Sequence, residues 1–427
     1  MTARDVKRAT ALHGSLRVPG DKSASHRALM LSALADGEST IEGLSPGHDV
    51  ASTSAIVEQL GATRVDGLGL VTVVGPAGGL RASARELDCA NSGTSMRLLA
   101  GLVSGIEGVH ALVGDESLSR RPMDRVALPL RLMGATIHGQ GSQITAPLRI
   151  EGSSSLRGID YQVPVASAQV KSAILLAGLG ASGPTSVHED VLTRTTTEDM
   201  LRRAGLDVRS LIEREGCTIT LSPGRPRPMS WRIPGDPSQA AFFAVLGALH
   251  DCAVVEVLDV DASPQRSGFV GVLERMGARL TRVVGENGVS LVSQSSQLEA
   301  TEVYSSEIPS VDEVPVLAVA AAAATGVSAF CDMAELRVKE SDRFSGSMEL
   351  ARSLGCRVWD EGDDFFIEGL GSATAFHAFR FDAGLDHRMV MAGAVAGVAG
   401  AGCSIGGADT VATSYPDFFD DLAALYE

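Results

Sequence analysis

Residues 16–44 read LRVPGDKSASHRALMLSALADGESTIEGL, and this stretch decides how the chain is organised. An extended apolar segment leads to a Gly-Asp turn, then to a helix rich in Ala and Leu, then to a short β segment. A second helix follows and ends in QLGATRV (residues 59–65), where the glycine suits a left-handed helix end. The pattern predicts one βαβαβ-like block with one buried and one exposed helix.

The same order of segments recurs along the chain. Blocks open near residues 17, 87, 161, 231, 306 and 381, in steps of 70, 74, 70, 75 and 75 residues. The block endings also recur, as PLRLMGATI (129–137), LRRAGLDV (201–208), VLERMGARL (272–280) and LARSLGCRV (350–358). Six blocks of this length are too long for a solenoid repeat, so the sequence predicts an α/β fold with two domains of three blocks each. The Pro-rich residues 222–235 predict the boundary.

The composition excludes several classes of protein. With 44% hydrophobic and 21% charged residues, the 427-residue chain is expected to fold rather than to be disordered. A net charge of −16 argues against nucleic acid and acidic membranes as partners, so an anionic substrate needs a local basic cluster. The chain shows no signal peptide and no apolar run of about 18 residues, and its six cysteines lack metal-ligand spacing. We therefore expect a cytoplasmic protein without a metal site or a membrane anchor.

The turn Gly20–Arg27 carries the strongest local signal for a ligand. Ser23 and Ser25 are predicted to cap the helix that follows, and the free N–H groups at a helix start favour a phosphate or carboxylate. Lys22 and Arg27 add positive charge there. The alternative is an ordinary capped helix with solvated basic residues.

Other blocks place polar residues at the same strand-to-helix turn. These are Asn91-Ser92-Gly93-Thr94 with Arg97, Ser167-Ala168-Gln169, Asp312-Glu313 and Asp386-His387-Arg388. Each one alone fits an ordinary turn or helix cap. If both domains direct these turns to one cleft, the turns form a single anion site.

Two further clusters combine charges. In Arg120-Arg121-Pro122 the proline disfavours a helix at Arg121, which predicts a loop that presents the guanidinium to an anion. In residues 337–343, RVKESDR, a helix would place Lys339 and Arg343 on one face with Glu340 beside Arg343. The alternative for that segment is a solvated surface helix with internal salt bridges.

Six strings carry a resemblance to a known family: GDKSASHR (20–27), NSGTSMR (91–97), RRPM (120–123), SAQ (167–169), ELRVKESDR (335–343) and LDHRM (385–389). In this order they resemble the 5-enolpyruvylshikimate-3-phosphate synthases. The resemblance implies a two-domain inside-out α/β barrel of six βαβαββ repeats, with residues 16–228 as the first domain. Residues 1–15 and 229–427 are expected to form the second domain, with the active site in the interdomain cleft.

The resemblance also implies the reaction. The enolpyruvyl group of phosphoenolpyruvate passes to the 5-hydroxyl of shikimate 3-phosphate and phosphate is released, as a step of aromatic amino-acid biosynthesis. No cofactor and no metal are expected, and we expect a monomer. Two alternatives are a UDP-N-acetylglucosamine enolpyruvyl transferase and a non-catalytic protein on the same fold. The UDP-N-acetylglucosamine enzyme carries a Cys in a mobile loop, and the corresponding loop here, Gly114–Asp124, has no Cys. A non-catalytic protein would be expected to have lost catalytic residues, and all of them are present.

By resemblance Asp312 is the base, Glu340 is the acid and Lys22 assists. Shikimate 3-phosphate is expected at Lys22, Ser23, Arg27, Ser167, Gln169, Arg194, Asp312 and Lys339. Phosphoenolpyruvate is expected at Lys22, Asn91, Gly93, Thr94, Arg121, Gln169, Arg343, His387 and Arg388.

Three residues, Ala168, Arg194 and Thr413, match the class II branch of the family rather than the better-known branch. Thr413 stands where the other branch has a lysine, which leaves open what replaces that contact to phosphoenolpyruvate. Gly93 is expected to leave room for glyphosate, a phosphonate inhibitor that occupies the phosphoenolpyruvate site in the family.

Overall fold

The computed structural model describes residues 3–67, 69–213, 216–285, 288–308 and 310–426. The chain divides into two compact units. The continuous unit comprises residues 22–233, and the discontinuous unit comprises residues 1–21 and 234–427. These boundaries differ from the expected domains, 16–228 and 1–15 plus 229–427.

Buried helices alternate along the chain with helices that expose one face. They are α1 (Lys22–Leu34), α2 (His48–Gln59), α3 (Gly93–Ser104), α4 (Asp124–Met133), α5 (Ala168–Gly178), α6 (Thr196–Arg203), α7 (Pro237–Leu249), α8 (Gly268–Arg275), α9 (Val314–Ala323), α10 (Arg343–Ser353), α11 (His387–Ala399) and α12 (Phe418–Ala424). The first helix of each block is largely buried, and every residue of α7, α9 and α11 is buried. The second helix, such as α4, exposes one face.

The strands are short. They are β1 (Ala3–Val6), β2 (Leu12–Leu16), β3 (Gly37–Glu42), β4 (Thr63–Gly67), β5 (Leu70–Gly75), β6 (Leu87–Asp88), β7 (Gly108–Val113), β8 (Thr136–Gln140), β9 (Thr145–Gly152), β10 (Asp160–Gln162), β11 (Thr185–Glu189), β12 (Val208–Glu213), β13 (Gly216–Leu221), β14 (Ser230–Arg232), β15 (Ala253–Val260), β16 (Arg279–Val284), β17 (Val289–Gln294), β18 (Glu302–Tyr304), β19 (Thr325–Cys331), β20 (Arg357–Glu361), β21 (Asp364–Leu370), β22 (Phe379–Asp382) and β23 (Cys403–Gly406).

In the continuous unit the sheets have the strand orders β14-β3-β5-β4, β6-β7-β9-β8 and β10-β11-β13-β12. The first pair of each sheet is parallel and the other two pairs are antiparallel. In the second and third sheets a helix connects the two parallel strands, and in all three sheets a hairpin supplies the last two strands. Each block therefore has the predicted βαβαββ order.

In the discontinuous unit the sheets have the orders β2-β15-β17-β16, β18-β19-β21-β20 and β1-β23-β22. The last sheet is shorter because the sixth block ends in α12, and β1 pairs antiparallel with β23. The first residues of the chain thus complete the sheet of the last block.

The first and fourth blocks exchange their opening strands. Strand β2 pairs in parallel with β15 of the fourth block, and β14 pairs in parallel with β3 of the first block. For this reason residues 16–21 belong to the discontinuous unit and residues 229–233 belong to the continuous one, contrary to the sequence prediction. The backbone N–H of Asp21 donates to the carbonyl of Pro234, at 2.7 Å, beside the points where the chain crosses between units.

The predicted glycine ends of the exposed helices are confirmed. Gly61, Gly134, Gly205, Gly277 and Gly355 all have φ between 85° and 111°. Residues with a Cβ rarely adopt this conformation, so glycine at these positions ends each helix without strain.

Gly101 allows α3 and α5 to pack closely, and this contact yields a stability prediction. A Cβ at Gly101 would lie 2.1 Å from the carbonyl oxygen of Ala173. We expect Gly101→Ala to lower the free energy of unfolding by about 1 to 3 kcal/mol, because the backbone of α5 must shift. The matched control is Gly271→Ala in α8, where a Cβ meets nothing within 4 Å. The control should raise stability by about 0.5 to 1 kcal/mol through helix propensity, and urea unfolding of both variants would show opposite signs.

Candidate active site

The starts of the buried helices α1, α3 and α5 carry polar side chains. Ser92 caps α3 by accepting a hydrogen bond from the N–H of Ser95, at 3.0 Å. Ser167 caps α5 by accepting from the N–H of Val170, at 3.4 Å. Capped helix starts combine donors and a positive dipole end, so they suit anions.

The predicted capping of α1 by Ser23 and Ser25 is wrong. Helix α1 already begins at Lys22, so both serines lie inside its first turn. The hydroxyl of Ser25 accepts from the backbone N–H of Ser45, at 3.0 Å, and the hydroxyl of Ser23 accepts from Nη1 of Arg194, at 3.3 Å. Ser23 therefore presents its hydroxyl beside a guanidinium.

Lys22 forms an ion pair that the sequence did not indicate. Its Nζ lies 3.0 Å from Oδ2 of Asp49, and the two side chains are 14% and 7% exposed. Asp49 lies in the first turn of α2, and its backbone carbonyl accepts from the hydroxyl of Ser95, at 3.3 Å. The carboxylate holds the ammonium group in place near the start of α3.

Arg27 is buried and its guanidinium is fixed on three sides. It donates to the hydroxyl of Thr197 at 2.6 Å, to the hydroxyl of Ser172 at 2.7 Å and to the carbonyl of Ser23 at 2.8 Å. Thr197 and Ser172 come from α6 and α5, so the packing of these helices sets the direction of the guanidinium. A fixed guanidinium loses little entropy on binding an anion.

Gln169 connects α5 to α3. Its Oε1 accepts from Nη1 of Arg97 at 2.8 Å, and its Nε2 donates to the hydroxyl of Thr94 at 3.1 Å. A Cβ on Gly93 would lie 2.9 Å from Nη1 of Arg97 and 3.1 Å from Nη1 of Arg121. Both guanidinium groups therefore lie against the backbone of Gly93.

The loop predicted at Arg121 is confirmed. A short 3₁₀ helix, Leu118–Arg120, ends just before it, and Arg121 itself is extended. Its Nη2 donates to Oδ1 of Asn91, at 3.0 Å. The residues that the continuous unit gathers near these helix starts are Lys22, Ser23, Arg27, Asn91, Gly93, Thr94, Arg121, Ser167, Gln169 and Arg194.

In the discontinuous unit three carboxylates surround Arg343, which is fully buried. Its Nη1 lies 2.9 Å from Asp312, its Nη2 lies 2.6 Å from Glu340, and its Nε lies 2.8 Å from Asp386. Burial opposes the charge of Arg343, but the three acids raise its pKa above the ordinary value. The residue therefore stays a cation in its buried position.

Asp312 lies between two guanidinium groups. Its second carboxylate oxygen is 3.3 Å from Nη2 of Arg388. Burial opposes ionisation, but Arg388, Arg343 and Lys339 together hold the pKa of Asp312 below its ordinary value. Burial in turn lowers the pKa of Lys339, and Asp312 opposes that effect.

Asp386, which the sequence places in a polar turn, makes two contacts that the sequence did not indicate. Its carboxylate accepts from the backbone N–H of Arg388, at 2.9 Å, and so caps α11. The same carboxylate binds Arg343. His387 is buried at the first position of α11, next to Asp386 in the chain.

The predicted helix through residues 337–343 is wrong. A 3₁₀ helix, Ala334–Val338, ends before Lys339, and α10 begins only at Arg343 because Asp342 caps it. Lys339 and Arg343 therefore share no helical face. The predicted proximity of Glu340 to Arg343 is confirmed, but a turn produces it, and the burial of Arg343 rules out a solvated surface helix.

The model of the family EPSP synthase (3-phosphoshikimate 1-carboxyvinyltransferase) matches residues 6–422. The chain belongs to this family. A 3-phosphoshikimate 1-carboxyvinyltransferase of Synechococcus sp. (strain RCC307) is 44% identical over 97% of each chain. The protein of the same name from Gloeobacter violaceus is 43% identical over 99% of each chain. The chain is thus an enolpyruvyl transferase of the shikimate pathway.

Solved structures agree with this membership. An EPSP synthase from Acinetobacter baumannii is 38% identical, with a TM-score of 0.85 over 99% of this chain and 98% of that chain. The enolpyruvyl transferase NikO from Streptomyces tendae is 20% identical, with a TM-score of 0.79 over 99% and 96%, and shows the fold alone. The predicted fold class, a two-domain inside-out α/β barrel, is confirmed.

Among the described residues, none of the helices has both the length and the apolar character needed to cross a bilayer. The cytoplasmic location and the monomeric state stay predictions. So do the individual site assignments.

Proposed function

We propose that the chain transfers the enolpyruvyl group of phosphoenolpyruvate to the 5-hydroxyl of shikimate 3-phosphate, with Asp312 as base and Glu340 as acid. The observation that supports these roles most strongly is the shared contact with Arg343, at 2.9 Å for Asp312 and 2.6 Å for Glu340. One buried cation thus holds both carboxylates close together. A base and an acid are the two groups that the addition step requires.

The proposed reaction has two steps. In the addition, Asp312 takes the proton of the 5-hydroxyl group while the oxygen of that hydroxyl bonds to C2 of phosphoenolpyruvate. Glu340 gives a proton to the methylene carbon. The product is a tetrahedral intermediate with a methyl group. In the elimination, a proton leaves that methyl group, the bond from C2 to the phosphate oxygen breaks, and phosphate departs.

The charge around Asp312 explains how substrate binding would activate it. Arg388 and Arg343 hold the pKa of Asp312 below its ordinary value, and a carboxylate stabilised in this way is a weak base. We propose that N–H groups of Arg343 and Arg388 donate to anionic groups of the bound substrates instead of to Asp312. Contacts with an anion reduce the attraction of these guanidinium groups for Asp312, which raises its pKa towards a useful range.

The continuous unit is proposed to bind the phosphate groups. Ser23, Arg27 and Arg194 form one connected set, to which we assign shikimate 3-phosphate. The set for this substrate is completed by Lys22, Ser167, Gln169, Asp312 and Lys339. We assign phosphoenolpyruvate to Lys22, Asn91, Gly93, Thr94, Arg121 and Gln169, with Arg343, His387 and Arg388 of the discontinuous unit.

The acceptor can be tested by substitution of the substrate. Phosphate release from phosphoenolpyruvate should proceed with shikimate 3-phosphate and should fall to background with UDP-N-acetylglucosamine. Shikimate without its phosphate should be a poor acceptor, because it lacks the phosphate dianion that the basic side chains of the site are proposed to bind. Release with the nucleotide sugar at a comparable rate would overturn the proposed acceptor.

Position 93 gives a prediction about inhibition by glyphosate. In Gly93→Ala the added methyl must displace the guanidinium ends of Arg97 and Arg121, which it would approach to 2.9 and 3.1 Å. Overpacking costs about 1 to 3 kcal/mol, and it should weaken binding of the longer inhibitor more than binding of phosphoenolpyruvate. We therefore expect the ratio of Ki for glyphosate to KM for phosphoenolpyruvate to rise by about tenfold or more. The KM for shikimate 3-phosphate serves as the internal control, and an unchanged ratio would place position 93 outside the inhibitor site.

A further inference from the structure

A buried arginine that the proposed reaction does not use lies next to the chain segment before Lys22. Arg266, in the loop before α8, is only 7% exposed. Its Nη2 donates to Oδ2 of Asp21 at 2.6 Å and to Oδ1 of Asp236 at 2.7 Å. Asp21 directly precedes Lys22 in the chain, so this ion pair fixes the backbone from which Lys22 extends.

The same guanidinium connects to the turn that carries Asp312. Nη2 of Arg266 lies 3.4 Å from the hydroxyl of Ser238, and that hydroxyl donates to Oε1 of Glu313. The other carboxylate oxygen of Glu313 accepts from the hydroxyl of Ser310, at 2.8 Å. Glu313 directly follows Asp312, so a continuous polar network runs from Arg266 to this turn.

The turn at Asp312 is strained and needs such support. Val311 has a φ of +49°, which is unusual for a β-branched residue. A backbone of this kind persists only where the surroundings determine it, and such strain is concentrated at functional sites. Glu313 and Ser310 supply hydrogen bonds on both sides of Val311 and Asp312.

The composition of the network argues against a purely stabilising role. Asp21, Asp236 and Glu313 are all at most 3% exposed, and burial of three acids with one arginine is costly. Hydrophobic residues of the same volume often give equal or higher stability. We therefore attribute the ionic network to the backbone conformation that it holds rather than to a contribution to stability.

We propose that Arg266 and Glu313 are positioning residues that set the backbone at Lys22 and at Asp312. The inference rests on the proposed roles of Lys22 and Asp312 in the reaction. Arg266 acts through Asp21, and Glu313 acts through the turn 310–313. Neither side chain is proposed to touch a substrate.

The test compares three substitutions in steady-state kinetics with both substrates. Glu313→Ala should lower kcat by about ten- to a hundredfold while KM values change less, because a small misplacement of a reacting group costs this much. Glu313→Gln should recover most of kcat, since the amide retains an oxygen that accepts from a serine hydroxyl. Arg266→Lys should lower kcat, because an ammonium group cannot reproduce the contacts of the guanidinium.

Phe269→Leu is the matched control, because Phe269 is buried on α8 near Arg266 in the chain and lies outside the network. It should lower the Tm as much as Glu313→Ala does and leave kcat at the wild-type value. Equal kcat for Glu313→Ala and Phe269→Leu would overturn the proposal, as would a Glu313→Gln variant no better than Glu313→Ala. Asp312→Asn distinguishes failure of the proposed base from failure of the proposed positioning role. If that variant keeps wild-type kcat, the assigned base is wrong, whereas its inactivity together with fully active Glu313→Ala contradicts the positioning role alone.

Discussion

Lys22→Met is expected to lower kcat by at least about a hundredfold, which corresponds to about 3 kcal/mol of lost transition-state stabilisation. The Lys22 side chain is 14% exposed and its ammonium group is held 3.0 Å from Asp49, so this group is oriented before any substrate binds. In the proposed reaction it neutralises charge that develops on the phosphoenolpyruvate group. Steady-state phosphate release at saturating substrates measures the effect, and a variant that retains more than a tenth of wild-type kcat would contradict the role.

The structure supplies a control for this variant. Loss of the ammonium group leaves the carboxylate of Asp49, 7% exposed, without the ion pair that Lys22 provides, and this costs stability. The double variant Lys22→Met with Asp49→Asn removes that charge and should recover the Tm. It should not recover kcat, because the missing charge acts on the substrate. Recovery of both would mean that Lys22 serves the fold rather than the reaction.

Glu340→Gln and Asp312→Asn are expected to fail at different steps, each with a loss of about a hundred- to ten-thousandfold in kcat. Without the acid, the enol carbon gains no proton. Solvent deuterium should therefore no longer enter the methylene group of phosphoenolpyruvate in the Glu340→Gln enzyme. Asp312→Asn should chiefly impair removal of the hydroxyl proton. Deuterium exchange at the wild-type rate in Glu340→Gln would assign the acid to another residue.

These two substitutions also need a structural control, because both residues bind Arg343. Asp386→Asn is the matched control, since it removes a third carboxylate from the same guanidinium. Asp386 also caps α11, so this variant should lose stability as well. It should still exchange deuterium, because Asp386 carries neither proposed proton-transfer role.

The fold followed closely from the sequence because its signals are local. Apolar helices such as α7 and α9 and the glycines that end the exposed helices can each be recognised from a few neighbouring residues. The exchange of β2 and β14 could not be recognised in this way. Each strand precedes its own block in the chain, and nothing in its residues distinguishes pairing with β15 from pairing with β3.

The cations that we propose to bind the substrates were predictable, whereas their protein partners were not. Lys22 and Arg343 lie in motifs, but Asp49 lies outside them, 27 residues from Lys22. Asp386 lies in a motif of its own, 43 residues from Arg343. Such pairs form only when separate helix starts meet. The burial of Arg343 was missed for a related reason. A run of charges usually faces water, and only the three carboxylates around this guanidinium offset the cost of its burial.

Phosphate release tests most directly that the enzyme makes phosphoenolpyruvate react with shikimate 3-phosphate. Purified protein would be mixed with phosphoenolpyruvate and shikimate 3-phosphate, with each substrate alone as the control. The proposed reaction predicts one phosphate released for each shikimate 3-phosphate consumed, and background release with either substrate alone. Release from phosphoenolpyruvate alone at a comparable rate, or no release with both present, would contradict it.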